Sequence, residues 1–548
     1  MVPRAPDPWR HNAVDLNLAI VVFYLVTMLA FGFWGRSRTR TSSDYLVAGR
    51  RLGGFFYTGT MAAVVLGGAS TVGGVGLGYQ MGLSGMWLVV AIGVGVLLLS
   101  LLFAGRLQRL RIHTVSEMLE LRYGHRATDA SSIVMLAYTI FLSVTSSGAY
   151  ATVLHVLLGW ERWACILLGG VVVLVYSVVG GMWSITLADQ VQFFIKTIGI
   201  FFLMLPLMLV AAGGWSGLAE RLDAGYFDLV GNADHGADTQ TIITWFVIYM
   251  FGILIGQDIW QRVFTARTPG VAKWGGTVAG VYVIAYGAAG AIIGMAARAT
   301  MGDAISARDD VYAEVANTVL PVGVGGFVLA AAVAAMMSTA SGALIAAATV
   351  ARNDVVPMLT GSGRATSDDE SDPHSEQHVR ENRSWVLGLG ALIIAISAWM
   401  SSLEGGSSIV VAWLTVAYDI LVGGLLVAIL GGLVWRRGNG LGAGASMIVG
   451  TVVTLATMAF QARQLGSVLD GILSNEPIYY GLLSSLVVYV AVSLLTKPVE
   501  VEVRQEWERR VAGARPDLPG LRKHFQHDLP EQPDQADQAV SDEARRRS

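Results

Sequence analysis

The stretch 66-LGGASTVGGVGLGYQMG-82 contains seven glycines within seventeen residues. It lies in an apolar run, 54–81, that is long enough to cross a bilayer as a helix. Each glycine lowers the stability of a helix interior by about 1 kcal/mol relative to alanine. The stretch therefore predicts either a helix broken inside the membrane, where protein must satisfy the freed backbone, or a continuous helix with closely packed neighbours.

A second glycine-interrupted segment, 249-YMFGILIGQDIWQR-262, lies five apolar spans further along the chain. Because five is odd, a repeat of five spans is inverted across the membrane. Interrupted helices at corresponding places in two inverted halves indicate a transporter whose binding site lies near the bilayer midplane.

The composition is that of a polytopic α-helical membrane protein. Hydrophobic residues make up 54% of the 548 residues, charged residues only 14%, and the mean hydropathy is +0.56. Soluble domains have nearer a quarter charged residues. The apolar runs predict thirteen spans, at 14–34, 54–81, 86–104, 131–158, 163–181, 189–212, 241–261, 274–297, 321–350, 384–403, 408–434, 441–460 and 478–496.

The charges of the connecting loops predict the orientation. Arginines collect after the first, third, seventh and eleventh spans, whereas the loop 213–240 is acidic. Cytoplasmic loops of membrane proteins carry the excess of Lys and Arg. We therefore expect a cell-membrane protein with its N-terminus outside and its C-terminus in the cytoplasm.

Other function classes lack their signatures in this sequence. It has no phosphate-binding GKS or GKT motif, so ATP is not expected as an energy source. The net charge of −3 does not indicate a nucleic-acid partner. No arrangement of nucleophile, base and acid suggests catalysis, and the single cysteine, Cys165, excludes an intrachain disulfide.

The segment 335-AMMSTASGALIAAATVARND-354 places hydroxyl groups in an apolar span. Ala335, Ser338 and Thr339 share one face of a helix because they are spaced i, i+3 and i+4. Their oxygens suit a hard cation such as Na⁺, with carbonyls of a broken second span completing the shell. The alternative is that these hydroxyls bond to carbonyls of their own helix.

Several separated motifs together resemble the sodium:solute symporter family, and the resemblance covers roughly residues 14–460. The motifs are 44-DYLVAGRRLGGFF-56 leading into 70-STVGGVGLGYQMGLSGMW-87, 180-GGMWSITLADQVQFF-194, 256-GQDIWQRVFTAR-267 and 335-AMMSTASGALIAAATVARND-354.

The resemblance implies the LeuT fold, with two inverted five-helix repeats, one extra N-terminal helix and two extra C-terminal helices. The implied units are 1–52, an N-terminal helix and basic loop; 53–212, the first repeat; 213–240, the acidic extracellular loop; 241–434, the second repeat with the cytoplasmic loop 353–383; 435–496, the two C-terminal helices; and 497–548, a cytoplasmic tail. We expect the tail to be largely disordered beyond an early helix.

The resemblance also implies a sodium site between the second and ninth spans. Its ligands would be the backbone carbonyls of Ala63, Leu66 and Ala335 and the hydroxyls of Ser338 and Thr339. Asp189, near the inner end of the sixth span, would attract the ion on its way to the cytoplasm; the alternative is an aspartate that snorkels to the interface. Some members carry an acid where this chain has Val65, so we predict one main sodium site.

We expect the solute near the two helix breaks. The candidate residues are Gly67, Gly68 and Ser70 on the second span, Thr145 and Ser146 on the fourth, and Tyr249, Gly252, Gln257 and Asp258 on the seventh. Asp258 is an acid within a span, which is usually functional. It would contact a cationic solute, but pairing with Arg262 one turn later is the simpler expectation.

The resulting prediction is a sodium-coupled symporter for a small organic solute. A proton-coupled or uncoupled carrier of the same fold is one alternative, and a membrane solute sensor is another. The sequence does not distinguish an amino acid, a monocarboxylate, a sugar, a vitamin or an amine as the solute.

Overall fold

The structure is a computed structural model that describes residues 8–124, 128–231, 236–305, 307–361, 375–402 and 409–513. Within these ranges helices dominate, and the one pairing of strand type is an isolated bridge between Leu52 and Ala266. Backbone groups in a bilayer must be satisfied within the chain, which helices achieve alone. The predicted all-helical class is therefore confirmed.

The helices of the first half are α1 (Pro8–Arg36), α2 (Ser42–Val47), α3 (Gly54–Val65), α4 (Gly74–Met81), α5 (Trp87–Leu98), α6 (Gly105–Leu110), α7 (Val115–Tyr123), α8 (Thr128–Leu158), α9 (Arg162–Thr197), α10 (Leu205–Ala211) and α11 (Gly214–Arg221). Turns of π-helix at Ala69–Gly73, Leu99–Ala104 and Ile198–Met204 and turns of 3₁₀-helix at Ala48–Arg50, Gly82–Met86 and Ala224–Phe227 connect several of them.

The helices of the second half are α12 (Thr239–Trp245), α13 (Phe251–Ile255), α14 (Gln257–Thr265), α15 (Pro269–Met301), α16 (Val311–Thr318), α17 (Val324–Val350), α18 (Val356–Thr360), α19 (Ser375–Ser401), α20 (Ile409–Val434), α21 (Gly440–Leu465), α22 (Val468–Leu473), α23 (Glu476–Leu495) and α24 (Val501–Ala512). Further turns are π-helical at Phe246–Met250 and Ala351–Val355 and 3₁₀-helical at Arg308–Asp310.

The described helices include ten or eleven stretches that could each span a membrane. Among the described residues, ten stretches are long and apolar enough to cross, and the bent pair Thr239–Ile255 and Gln257–Thr265 makes an eleventh. Two of the ten, Ala69–Leu110 and Arg162–Ala211, are 42 and 50 residues long, whereas one crossing needs about 20. The sequence prediction of thirteen divides each of these two stretches into two spans, near a glycine with positive φ, Gly82 (+66°) or Gly181 (+57°).

Helix α17 lies at the centre of the fold. Every residue in its most apolar window is buried, and it packs against α8, α9, α1 and α19. A helix surrounded by protein on all sides does not need a lipid-facing stripe. Its hydroxyl groups can therefore face other helices, as the stretch 335–354 predicts.

The cytoplasmic segment predicted as a loop over 353–383 is partly helical. The π-turn Ala351–Val355 and α18 continue α17 to Thr360, and α19 begins at Ser375 rather than at the predicted 384. Polar contacts support this extension, because Arg352 pairs with Glu381 at 2.8 Å and Asp354 accepts a bond from Thr114 at 3.0 Å. The helix expected early in the tail is α24, and 514–548 lie outside the described residues.

Replacing Gly181 by alanine is expected to destabilise the protein. Its φ of +57° and ψ of −145° suit glycine alone, at a cost of about 1–3 kcal/mol for other residues, and a Cβ there would lie 2.6 Å from Cδ2 of Tyr45. Thermal unfolding of the detergent-purified variant measures the effect. Gly388→Ala is the control, since that Cβ would have nothing within 4 Å, and equal midpoints for both variants would contradict the argument.

Candidate functional site

The second span is broken at Leu66 and Gly67. Helix α3 ends at Val65, Leu66 has a φ of −96° and a ψ of 70°, and helical backbone resumes at Gly68. A Cβ at Gly67 would lie only 2.6 Å from Oγ1 of Thr339. The glycine therefore allows α17 to approach the break closely. Both predictions for the glycine-rich stretch apply, because the helix is broken and a neighbouring helix packs closely against it.

The break exposes the last carbonyl oxygens of α3, and each has a polar partner. The last carbonyls of a helix have no partner within it. Here Val64 accepts from Thr339 Oγ1 at 2.7 Å and Val65 accepts from Ser70 Oγ at 3.2 Å. Ala63 and Leu66 accept from Lys196. We call the carbonyl groups of residues 63–66 the carbonyl end of α3.

Two of the three hydroxyl groups within residues 338–341 of α17 point to other helices. Ser338 donates to Oδ1 of Asp189 at 2.6 Å, and Thr339 donates to Val64 of α3. Only Ser341 bonds within its own helix, to the carbonyl of Ser338 at 3.1 Å. Ala335 is fully buried one turn before Ser338. Of the two hydroxyls predicted as ion ligands, Thr339 therefore contacts the broken span directly, and Ser338 contacts Asp189 of α9.

Asp189 lies inside the protein rather than at the membrane interface. It is fully buried and accepts hydrogen bonds from Ser338 and from Thr60 of α3. Its charged partner is Arg262 of α14, whose Nη2 is 3.2 Å from Oδ2. The snorkelling alternative for Asp189 is therefore wrong, and its carboxylate joins α3, α9, α14 and α17.

The expected pairing of Asp258 with Arg262 is wrong. Arg262, also fully buried, pairs with Asp189, and Asp258 accepts a bond from Tyr138 at 2.9 Å. Asp258 lies in the first turn of α14, where free backbone N–H groups favour a carboxylate without a counterion. The carboxylate of Asp189, which lies within α9 and not at a helix N-terminus, takes the guanidinium as its counterion.

Lys196 is a site residue that the sequence analysis missed. Its side chain is fully buried, and its Nζ donates to the carbonyl oxygens of Ala63 at 2.9 Å and Leu66 at 3.3 Å. It follows Asp189 by seven residues, about two helical turns. The sequence could have indicated Lys196, because a lysine and an aspartate lie on one face of an apolar span and charges at membrane depth are costly and usually functional.

Three of the predicted solute residues meet around an aromatic cluster formed by Tyr138, Tyr249 and Tyr418. The ring centroids of Tyr138 and Tyr249 are 5.5 Å and 5.7 Å from that of Tyr418. Asp258 bonds to Tyr138, and a Cβ at Gly252 would collide with the Tyr418 ring. The seventh span therefore contributes one connected polar and aromatic surface facing α8 and α20.

Asp419, beside the aromatic cluster, is a second residue that the sequence analysis missed. It is fully buried in α20, and neither carboxylate oxygen has a hydrogen-bond partner within the described part of the chain. It acts electrostatically on Tyr249, whose hydroxyl bonds to Thr415 of the same helix at 2.9 Å. The sequence could have indicated Asp419 as well, because an acidic residue within a span is usually functional.

The other predicted solute residues are separated from this cluster. Gln257 joins the segment between α6 and α7, accepting from Val115 N and donating to His113 O, both at 2.8 Å. Thr145 and Ser146 bond to carbonyls of their own helix at 2.9 Å and 3.0 Å. These contacts are structural and do not bring the three residues together.

The remaining candidate solute residues lie at the break in the second span or beside a cleft next to α8. Gly67 and Gly68 lie at the break itself, and Ser70 caps Val65. Thr145 also lines a cleft between α8, α9, α19 and α20 that contains Arg162 and Trp413. The predicted residues therefore form one group at the carbonyl end of α3 and another at the aromatic cluster, and Gln257, Thr145 and Ser146 belong to neither.

Comparisons with known proteins agree on one family and one fold. A family model described as "Sodium:solute symporter family" matches residues 45–450. The chain is 26% identical over 484 residues to a sodium/pantothenate symporter of Escherichia coli, covering 86% of this chain and 94% of that protein. It is 26% identical over 296 residues to a high-affinity choline transporter of Caenorhabditis elegans, covering 52% of this chain and only half of that longer protein.

A solved structure shows the same fold. It is the substrate-bound, outward-open state of a Na⁺-coupled sialic acid symporter, with a TM-score of 0.69 at 19% identity, covering 88% of this chain and 99% of that one. The LeuT fold that the motifs imply is thereby confirmed.

Loss of the buried ion pair should be costly. Arg262→Gln leaves Asp189 without its counterion and is expected to lower the free energy of unfolding by about 3–5 kcal/mol. Adding Asp189→Asn should cost less than the sum of the two single changes, because either change already removes the pair. Unfolding of the purified variants measures this, with the exposed Arg267→Gln as control. Strictly additive effects would contradict the pairing.

Proposed function

The chain belongs to the sodium:solute symporter family, and from that premise we propose that it couples uptake of a small organic solute to sodium by alternating access. It transports rather than catalyses. The observation that carries the proposal is the carbonyl end of α3, which the break at Leu66 leaves beside Ser338 and Thr339. Carbonyl and hydroxyl oxygens are ligands of hard cations.

The negative end of a helix dipole adds to these ligands. The carbonyl end of a helix bears a partial negative charge, and a cation there is stabilised. In a low-dielectric interior this attraction is much stronger than in water. Sodium would bind the carbonyls of Ala63, Leu66 and Ala335 together with the hydroxyls of Ser338 and Thr339.

Asp189 would act on the inner side of this site. Its carboxylate bonds to Ser338 and Thr60, which belong to two helices that flank the ion. A sodium ion leaving toward the cytoplasm would meet this charge first. Asp189 would therefore lower the barrier to release while Arg262 keeps it from trapping the ion.

Coupling follows if sodium and the solute favour the same position of the second span. Sodium at the end of α3 fixes the break, and the solute beside the break contacts the arms on either side. Each ligand then raises the affinity for the other by the same factor. The solute would enter from outside, and both would leave to the cytoplasm.

The loop charges support a multi-pass position in the cell membrane, with the N-terminus outside and the C-terminus in the cytoplasm. The same loops define the two repeats proposed for 53–212 and 241–434, each with one broken helix near its start. Inverted repeats place the two breaks at similar depth, which suits one shared site.

A proton-coupled or uncoupled carrier and a solute sensor are the rival functions. Uptake that continues at full rate without sodium would favour such a carrier. Solute binding without transport into proteoliposomes would favour a sensor.

Removing the two hydroxyls tests the sodium site. Ser338→Ala with Thr339→Ala deletes two predicted ligands, so the sodium concentration for half-maximal uptake should rise about tenfold or more. Uptake into proteoliposomes under an imposed sodium gradient, screened over amino acids, monocarboxylates, sugars, vitamins and quaternary amines, provides the measurement. Thr277→Ala, whose hydroxyl bonds within α15, serves as the control. Unchanged sodium dependence in the double variant would reject these ligands.

The buried acids make a separate prediction about solute charge. Asp258 has a hydrogen-bond donor in Tyr138, whereas the Asp419 carboxylate has none among the described residues. If the screen finds a quaternary amine, Asp419→Asn should raise its half-saturation concentration about tenfold, and Asp258→Asn should raise it less. A larger effect at Asp258 would contradict the assignment of Asp419.

A further inference from the structure

Lys196 occupies two of the carbonyl oxygens proposed above as sodium ligands. Its Nζ lies 2.9 Å from Ala63 O and 3.3 Å from Leu66 O, within hydrogen-bond distance of both. The side chain comes from α9 and is fully buried. A covalently attached cation therefore stands at the negative end of α3, where a free cation is also favoured.

The surrounding charges make the carbonyl end of α3 the main support of this ammonium. Asp189, on the same helix, is the charged group that attracts Lys196. That carboxylate is already paired with Arg262 of α14. The three side chains together carry one excess positive charge, and the carbonyl dipoles stabilise it.

A sodium ion and the ammonium cannot share these oxygens. Two positive charges a few ångströms apart repel strongly in a low-dielectric interior. The lysine side chain, however, has a flexible four-carbon stem and can move its charge away from the carbonyls. Sodium binding therefore requires the ammonium to leave, and sodium release allows it to return.

Resting on the function proposed above, we propose that the Lys196 ammonium and a sodium ion are alternative occupants of the carbonyl end of α3. Lys196 is then a tethered competitor that lowers the affinity for sodium. In the sodium-free protein it supplies the cation that holds α3 against α9. The broken span stays supported while the carrier returns without its ion.

Removal of the charge tests this competition without knowledge of the solute. Lys196→Met retains an apolar stem but cannot compete for the oxygens. Binding of radioactive sodium to the purified full-length variant should show a dissociation constant about tenfold lower than that of the wild type. Lys273→Met, which removes a lysine near Trp274 at the start of α15, should match the wild type.

Two further measurements test the proposal even if Lys196→Met does not fold. Lys196→Gln removes the charge but keeps a polar side chain, and it should also bind sodium more tightly. In the wild-type protein, sodium should increase acetylation of Lys196 relative to Lys273, measured by mass spectrometry against choline chloride at equal ionic strength. Unchanged sodium affinity in whichever variant folds, or unchanged acetylation, would overturn the proposal.

The outcomes separate this proposal from the proposed function. Sodium-dependent wild-type uptake with unchanged sodium affinity in Lys196→Met rejects the competition and leaves sodium coupling in place. Tighter sodium binding in that variant, with wild-type uptake independent of sodium, supports the competition and rejects sodium as the driving ion of the natural chain.

Discussion

The structure depends on how the carbonyl end of α3 is satisfied. An interrupted helix inside a bilayer leaves carbonyl groups that water cannot reach, and each unsatisfied group costs several kcal/mol. Here a hydroxyl from α17, a hydroxyl from beyond the break and the Lys196 ammonium from α9 meet all four of these groups. The break is therefore stable only while the neighbouring helices stay in place.

Buried charge is concentrated around the same point. Asp189 and Arg262 neutralise each other across α9 and α14, and Ser338 and Thr60 complete the bonding of the carboxylate. Replacing such a pair by apolar residues is often neutral or stabilising, so a buried pair is weak evidence for a purely stabilising role. Its contacts with α3 and α17 as well indicate that it orients these four helices relative to one another.

The apolar spans and the shared face of Ser338 and Thr339 could be predicted because both depend on local patterns. Apolar length sets the spans, and i, i+4 spacing places Ser338 and Thr339 on one side of α17. The partners of long side chains were harder to predict, because the direction of such a side chain depends on tertiary packing. Arg262 could reach Asp258 or Asp189, and only the bend of 44° within the seventh span and the burial of Asp189 decide between them. Lys196 and Asp419 were visible as charges in spans, but the sequence did not show that Lys196 reaches the carbonyl groups of α3.

The two broken spans are also joined to each other by backbone hydrogen bonds at one end. Leu52 N donates to Thr265 O and Arg267 N donates to Leu52 O, both at 3.0 Å, so the chain entering α3 pairs with the chain leaving α14. Gln261 of α14 further donates to Leu46 O at 2.8 Å. Backbone bonds of this kind resist separation more than side-chain contacts do, because their geometry is fixed by the main chain. Under the proposed function, a cation at the end of α3 would therefore also act on the position of α14.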